Sequence, residues 1–258
     1  MNSIQVNKEE LLYLSALAGV DNLWGVDDPF AGKSETAFRA ELLSLQEALV
    51  RKGCLDTSVS GEIRLAEDCR QILEICRSSM RVYILNSNQL EDEKAQLRFF
   101  EAGGKIVRYS FHESATLAFT GRELMRTELI SFFGDADGEE QAYSLVTGIA
   151  RLKRMGSLSR QRFLSELKIC GCEDDLALLI ADGLQGNADF CSVLAFDRSA
   201  GQEILTGKLV TLRFAGGSLI VTPGERDMDS VCFARLNHEK LLAAMDDLLG
   251  QRKEVELV

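Results

Sequence analysis

The sequence of 258 residues carries two histidines and seven cysteines, and their spacing decides which chemistry the chain could host. His112-Glu113-Ser114 sets three catalytic residue types side by side. Adjacency in sequence does not make a triad, because nucleophile, base and orienting acid must converge in space. The trio follows a predicted strand, where a polar exit loop belongs. His238-Glu239 opens a predicted helix, and a glutamate there complements the positive end of the helix dipole. The cysteines are Cys54, Cys69, Cys76, Cys170, Cys172, Cys191 and Cys232, set among apolar neighbours with no CxxC pair. That is the pattern of buried thiols, not of a zinc or redox centre. Cys170-Gly171-Cys172 reads as a helix C-cap with packing cysteines.

Two glycine pairs invite a phosphate-loop reading, Ala102 to Lys105 (AGGK) and Ala215 to Ser218 (AGGS). They lack the GxxxxGK[ST] spacing and lie between predicted strands instead of feeding a helix N-terminus. Asp135-Ala136-Asp137-Gly138-Glu139 opens like a calcium loop, yet the twelfth position falls on Val146 or Gly148, never on the glutamate such a loop needs. No catalytic, cofactor-binding or metal-binding residue is therefore assigned.

Composition narrows the class further. With 40 acidic against 29 basic residues the net charge is −11, which opposes nucleic-acid binding, since that requires Lys and Arg to neutralise phosphates. The one basic stretch, Arg151 to Arg162 (RLKRMGSLSRQR), reads as a solvated helix face or a contact for an acidic partner. Only two prolines and 46% hydrophobic residues leave little room for disordered linkers. No apolar run approaches the roughly 18 residues of a membrane span. The opening MNSIQVNKEELL lacks the basic and apolar regions of an export signal, so the chain is expected to be cytoplasmic.

The elements that would position any site follow from periodicity and caps. Ile4 to Val6 reads as a strand or extended lead-in. Asn7 with Glu10 forms a capping box for a helix that turns Leu11, Leu14, Leu17 and Ala18 to one face and stops at Gly19. Asp21 to Gly32, with Trp24, reads as a loop. Ser34 caps a second helix carrying Phe38, Leu42, Leu45 and Leu49, ended by Gly53. Ile63 to Cys76 has helical spacing. Met80 to Leu85, the AGG hairpin within Phe99 to Phe111, and Thr116 to Phe119 are strands, followed by a helix over Arg122 to Phe133. The turn-forming run Gly134 to Gly138 is the predicted seam between residues 1–134 and 135–258.

The second half repeats the order. Helices are expected over Glu139 to Arg154, over Arg160 to Cys170 behind a Ser157 cap, and over Asp174 to Leu184. Strands are expected at Phe190 to Phe196, Lys208 to Phe214, Ser218 to Thr222 and Val231 to Ala234, before a last helix from His238 to Leu249. Gly171-Cys172 echoes Gly53-Cys54, and Ala215-Gly216-Gly217 echoes Ala102-Gly103-Gly104. The expected fold is α+β and internally duplicated: a pseudo-twofold antiparallel β-sheet of two three-stranded meanders, flanked by helical bundles. Helix, helix, polar excursion and helix in the first half also resembles a winged-helix arrangement, so a regulatory protein stays open as an alternative, as does an unrecognised enzyme.

The opening VNKEELLYLSALAG, the tryptophan-bearing loop, the long helix ending in LVRKGCLD and the helix after it resemble the EspG family of type VII (ESX) secretion-associated proteins. Glu10, Leu11 and Leu14 in the first helix and Gly53 with Leu55 after the second carry the likeness, together with the duplicated order of elements. The resemblance implies a cytosolic chaperone or adaptor, without catalysis. Its partner would be a helical-hairpin protein substrate, WXG100-like or a related secreted protein, kept soluble and unassembled until export. The family's own contact positions do not map onto this sequence residue by residue. Physical reasoning points instead to the helices within Leu145 to Ile169, where Leu152, Met155, Leu158 and Phe163 straddle Lys153 and Arg154 and mix apolar with cationic surface.

Overall fold

The computed structural model describes residues 3–20, 29–59, 61–88, 96–134, 136, 143–186, 188–199, 202–224 and 229–250. The Trp24 loop and most of the Asp135 to Glu139 run lie outside them. The chain divides into two compact units. Unit one is Met1–Ile84, Asp92–Met125 and Asp197–Ile204; unit two is Leu85–Glu91, Arg126–Phe196 and Leu205–Val258.

The first half begins with strand β1 (Ser3–Val6) and helix α1 (Lys8–Ala18). The capping box forms as the sequence predicts: Asn7 Oδ1 accepts from the Glu10 N–H at 2.8 Å and Glu10 Oε2 accepts from the Asn7 N–H at 2.8 Å. Leu11 and Leu14 are buried, but Leu17 is exposed, because the inward face of α1 ends one turn before the helix does. Helix α2 (Glu35–Arg51) is capped by Ser34. Strands β2 (Leu55–Thr57) and β3 (Ile63–Leu65) pair antiparallel before helix α3 (Glu67–Ser78). The predicted single helix over Ile63 to Cys76 is thus corrected to a strand and a helix. Leu55 pairs with Leu65 and Thr57 with Ile63, a non-local ribbon that helical periodicity does not reveal. Strands β4 (Arg81–Ser87), β5 (Gln96–Ala102), β6 (Lys105–Phe111) and β7 (Ala115–Thr120) follow, then helix α4 (Arg122–Phe133).

The second half opens with strand β8 (Ser144–Gly148) and helix α5 (Ile149–Met155), where one helix over Glu139 to Arg154 was predicted. Leu145, Ile149 and Leu152 do recur at helical spacing. Five residues of β8 nevertheless pair with a later strand, from Ser230 opposite Gly148 to Ala234 opposite Ser144, and sheet pairing overrides the local period. Helix α6 (Arg160–Ile169) starts from Ser159 instead of Ser157, whose hydroxyl donates to the Arg154 carbonyl at 3.3 Å. Helix α7 (Asp174–Gln185), strands β9 (Asp189–Ser199), β10 (Gln202–Phe214), β11 (Gly217–Pro223) and β12 (Ser230–Arg235), and helix α8 (His238–Leu248) complete the chain.

The fold is α+β. Its strands follow the order β1-β7-β6-β5-β4-β9-β10-β11-β12-β8, with β2 and β3 as a separate ribbon. The predicted three-stranded meanders, β4-β5-β6 and β9-β10-β11, are each extended by the next strand in sequence, β7 and β12, and beyond those by β1 and β8. Both AGG stretches are hairpin turns. In the first, Ala102 pairs with Lys105 around Gly103 and Gly104, both at positive φ. In the second, Phe214 pairs with Gly217 around Ala215 and Gly216, one residue earlier relative to the shared AGG. The helix ends also match. Gly53 and Gly171 take φ of 70° and 82°, which lets the Cys54 N–H donate to Leu49 and the Cys172 N–H to Leu167.

In unit two, the core that carries the candidate surfaces combines Leu145 from β8, Met155 from α5, Phe163 and Leu167 from α6, Leu176 and Ile180 from α7, Leu219 from β11 and Phe233 from β12. Helix α7 packs on β11 and β12. Gly183 of α7 lets the strands approach closely: a Cβ there would lie 3.2 Å from Phe214 and 3.3 Å from Leu219.

Candidate protein-binding surface

His112 and Glu113 are exposed in the turn between β6 and β7, where the His112 N–H donates to the Ser114 carbonyl at 3.3 Å and the Ser114 hydroxyl lies 3.3 Å from the Gln5 amide. His238 is the exposed first residue of α8, behind the Asn237 cap. Cys172 is buried in the unit-two core, and burial, with Cys170 and the acidic start of α7 adding to it, pushes its thiol up to about 11. Among the described residues, no three His, Cys, Asp or Glu side chains cluster as metal ligands, and no helix is long and apolar enough to cross a membrane.

The structure divides the six sequence-derived contact candidates. Met155 and Phe163 are 3% and 1% exposed and belong to the unit-two core, and Leu152 and Leu158 are partly buried against it. The four apolar residues expected to mix with the cations at the surface thus pack inward, on the core that α7 and the sheet share. Only Lys153 and Arg154 stand in solvent, with Arg162 on the next helix. Their basic neighbours are engaged: Arg151 lies 3.1 Å from Glu166, and Arg160 pairs with Asp182 at 2.5 Å.

A second surface of unit two was not visible in the sequence. Leu145, Leu219 and Phe233 point into the core, so by the two-residue period of a strand their neighbours Val146, Ile220 and Cys232 point to the other sheet face. Helix α8 packs on β11 and covers only part of that face. An open groove of about 1100 Å³ remains between α8 and the outer strands. Val146, Ile220, Cys232, Ala234, Ala243 and Lys240 are among its lining residues. Val146 is 56% exposed although it sits mid-strand on β8, the last strand in the order. Its walls mix small apolar groups with Thr147, Lys208, Thr222 and Asp247, so the trough offers both apolar and polar contacts.

No family model and no curated protein matches this chain. Among solved structures, the type VII secretion system chaperone EspG5 of Mycobacterium tuberculosis, determined in complex with a PE25-PPE41 dimer, superposes with a TM-score of 0.67. The match covers 96% of this chain and 95% of that one at 9% sequence identity. The fold is EspG-like. A DNA polymerase sliding clamp from Pseudomonas aeruginosa aligns over 92% of this chain and 64% of that one with a TM-score of 0.14 and 11% identity. At 9% identity the EspG-like likeness resides in the order and packing of elements.

Proposed function

We propose that this chain is a cytoplasmic adaptor or chaperone that binds a helical protein substrate of a type VII-like secretion system and performs no catalysis. The observation that carries the reading is the EspG-like fold over 96% of the chain, shared with a secretion chaperone that was solved holding a protein dimer. A carrier of this kind needs a shape-matched apolar surface and an acidic, soluble exterior. A net charge of −11 and the unit-two groove fit that need.

What supports the groove as the docking surface is its exposed Val146 and its mixed walls of small apolar and polar groups, which suit both faces of an amphipathic helix. Gly148 both lines the groove and caps α5, so the exposed cations Lys153 and Arg154 lie along the same stretch of chain. They would steer a substrate with an acidic flank. The matched order of elements supports reading residues 1–134 and 135–258 as repeats of one ancestral unit, with the seam at Gly134 to Gly138.

The test is capture of the substrate from the native host's cytosol by three tagged baits: the wild type, Val146→Glu, and Lys153→Glu with Arg154→Glu. The proposal expects one helical protein in stoichiometric amount on the wild type. It expects loss from the groove variant, and slower, more salt-sensitive capture by the charge variant. Failure of the folded wild type to retain any protein would remove the carrier reading. Equal retention by all three baits would remove the docking surface alone.

A further inference from the structure

From the unit-two groove and the sequence that leaves its rim, we infer that residues 251–258 (QRKEVELV) dock in the groove and occupy the surface at which a substrate would bind. Docking of this segment is independent of the carrier reading; only its competition with a substrate rests on that reading. The geometry starts at the end of α8. Gly250 takes a φ of 69° and its N–H donates to the Asp247 carbonyl at 3.1 Å, a left-handed turn that carries the chain off the helix. Gly250 is itself one of the residues that line the groove. That end of α8 sits over β10, where a Cβ on Gly207 would lie 2.7 Å from Leu248 Cδ1. From β10 the order runs through β11 and β12 to β8, so the far wall at Val146 is three strand spacings away, about 14 Å. Five residues reach about 17 Å when extended, enough to bring Val255 to β8.

The composition of the segment matches the walls. Acidic and apolar residues alternate from Glu254 to Leu257, so an extended backbone turns Val255 and Leu257 to one side and Glu254 and Glu256 to the other. The groove offers Val146, Ile220 and Ala234 to the apolar pair, and the ammonium groups of Lys208 and Lys240 to the acidic pair. Tethering strengthens the match. A segment held by so short a span is present at an effective concentration of about 1 mM, so a contact with an intrinsic dissociation constant of only about 0.1 mM keeps the groove about nine-tenths filled. An incoming substrate has to displace it, which lowers the substrate's apparent affinity about tenfold. The segment thereby excludes weakly matched partners from the groove.

The test uses the full-length chain with Leu257→Cys, kept dilute, oxidised mildly with copper-phenanthroline and mapped by peptides without reduction. Cys232 lines the groove and is partly exposed, so it reports the contact. The expected result is one intramolecular link from the new thiol to Cys232, lost when Val146→Glu is added. A second readout needs no new thiol. With Val255→Asp and Leu257→Asp together, Cys232 should react with N-ethylmaleimide about tenfold faster than in the wild type, the factor set by a groove nine-tenths filled. A new thiol that stays unlinked, that links as readily to Cys170, or that keeps its link to Cys232 despite Val146→Glu would overturn the inference. Equal alkylation rates with and without the double substitution would do the same. Neither readout involves a substrate, so their failure leaves the carrier reading standing, and a failed substrate capture leaves the docked segment standing.

Discussion

Replacing Phe163 by alanine separates a core residue from a contact residue at the place where sequence spacing left both roles open. Phe163 is 1% exposed, held among Met155, Leu167, Leu176, Ile180 and Phe233 of the same core. Truncating a buried phenylalanine removes its transfer free energy and leaves a cavity, for a loss of about 3–5 kcal/mol. Against a total stability of about 5–15 kcal/mol that is a large fraction. At roughly 2–4 °C per kcal/mol for a chain of this size class, the melting temperature should drop by about 6–20 °C. Because the chain has two compact units, the loss is best read locally, by native-state hydrogen exchange. Amides of α6 and α7 should exchange about 150- to 4000-fold faster, while those of β6 in unit one keep their protection. The exposed pair Lys153→Glu and Arg154→Glu should stay within about 0.5 kcal/mol per site. A folded Phe163→Ala protein with a shift below about 3 °C and unchanged exchange in α6 and α7 would refute the packing argument and return Phe163 to the surface.

Three further outcomes follow from the same geometry. Val146→Glu should leave the melting temperature within about 3 °C, since the side chain is already 56% exposed, but should weaken substrate binding by about 100-fold in titration calorimetry, from lost apolar contact and a charge trapped in the groove. Glu10→Ala should cost about 1–3 kcal/mol in urea denaturation, because a carboxylate only 3% exposed serves both the Asn7 capping box and Lys52. The folded Cys172 thiol is held up to about 11 against an ordinary 9.0. Unfolding therefore releases a proton between those values, so this group's contribution to stability, full below pH 9, should be lost as pH rises to about 11. Comparing the pH dependence of urea midpoints for wild type and Cys172→Ala isolates that contribution, which would be absent if the two curves ran parallel.

Local signals carried much of the architecture. Asn7 with Glu10, the Gly53 and Gly171 turns and the two AGG hairpins are each fixed by residues within a few positions of one another, and the structure has all of them. What stayed hidden depends on partners far along the chain. Ser144 to Gly148 offers Leu145 at helical spacing from Ile149 and Leu152. Only pairing with Ser230 to Ala234, more than eighty residues away, makes it a strand. Once that segment is read as helix, Val146 has no face and the groove cannot be drawn, since its walls come from β8, β10, β11, β12 and α8. The basic stretch was legible as composition. That Lys153 and Arg154 are its solvent-facing members, while Met155 and Phe163 turn inward, was decided by how α5 and α6 pack on α7.

The measurement that tests the central claim most directly is stoichiometric capture from the native host's cytosol, with the captured protein identified by mass spectrometry and its secondary structure measured by circular dichroism. The account predicts one predominantly helical protein of a type VII-like secretion system, bound about one to one by the wild type and released by Val146→Glu. A well-folded wild-type bait that retains no protein in stoichiometric amount, or that retains only nucleic acid, would contradict it.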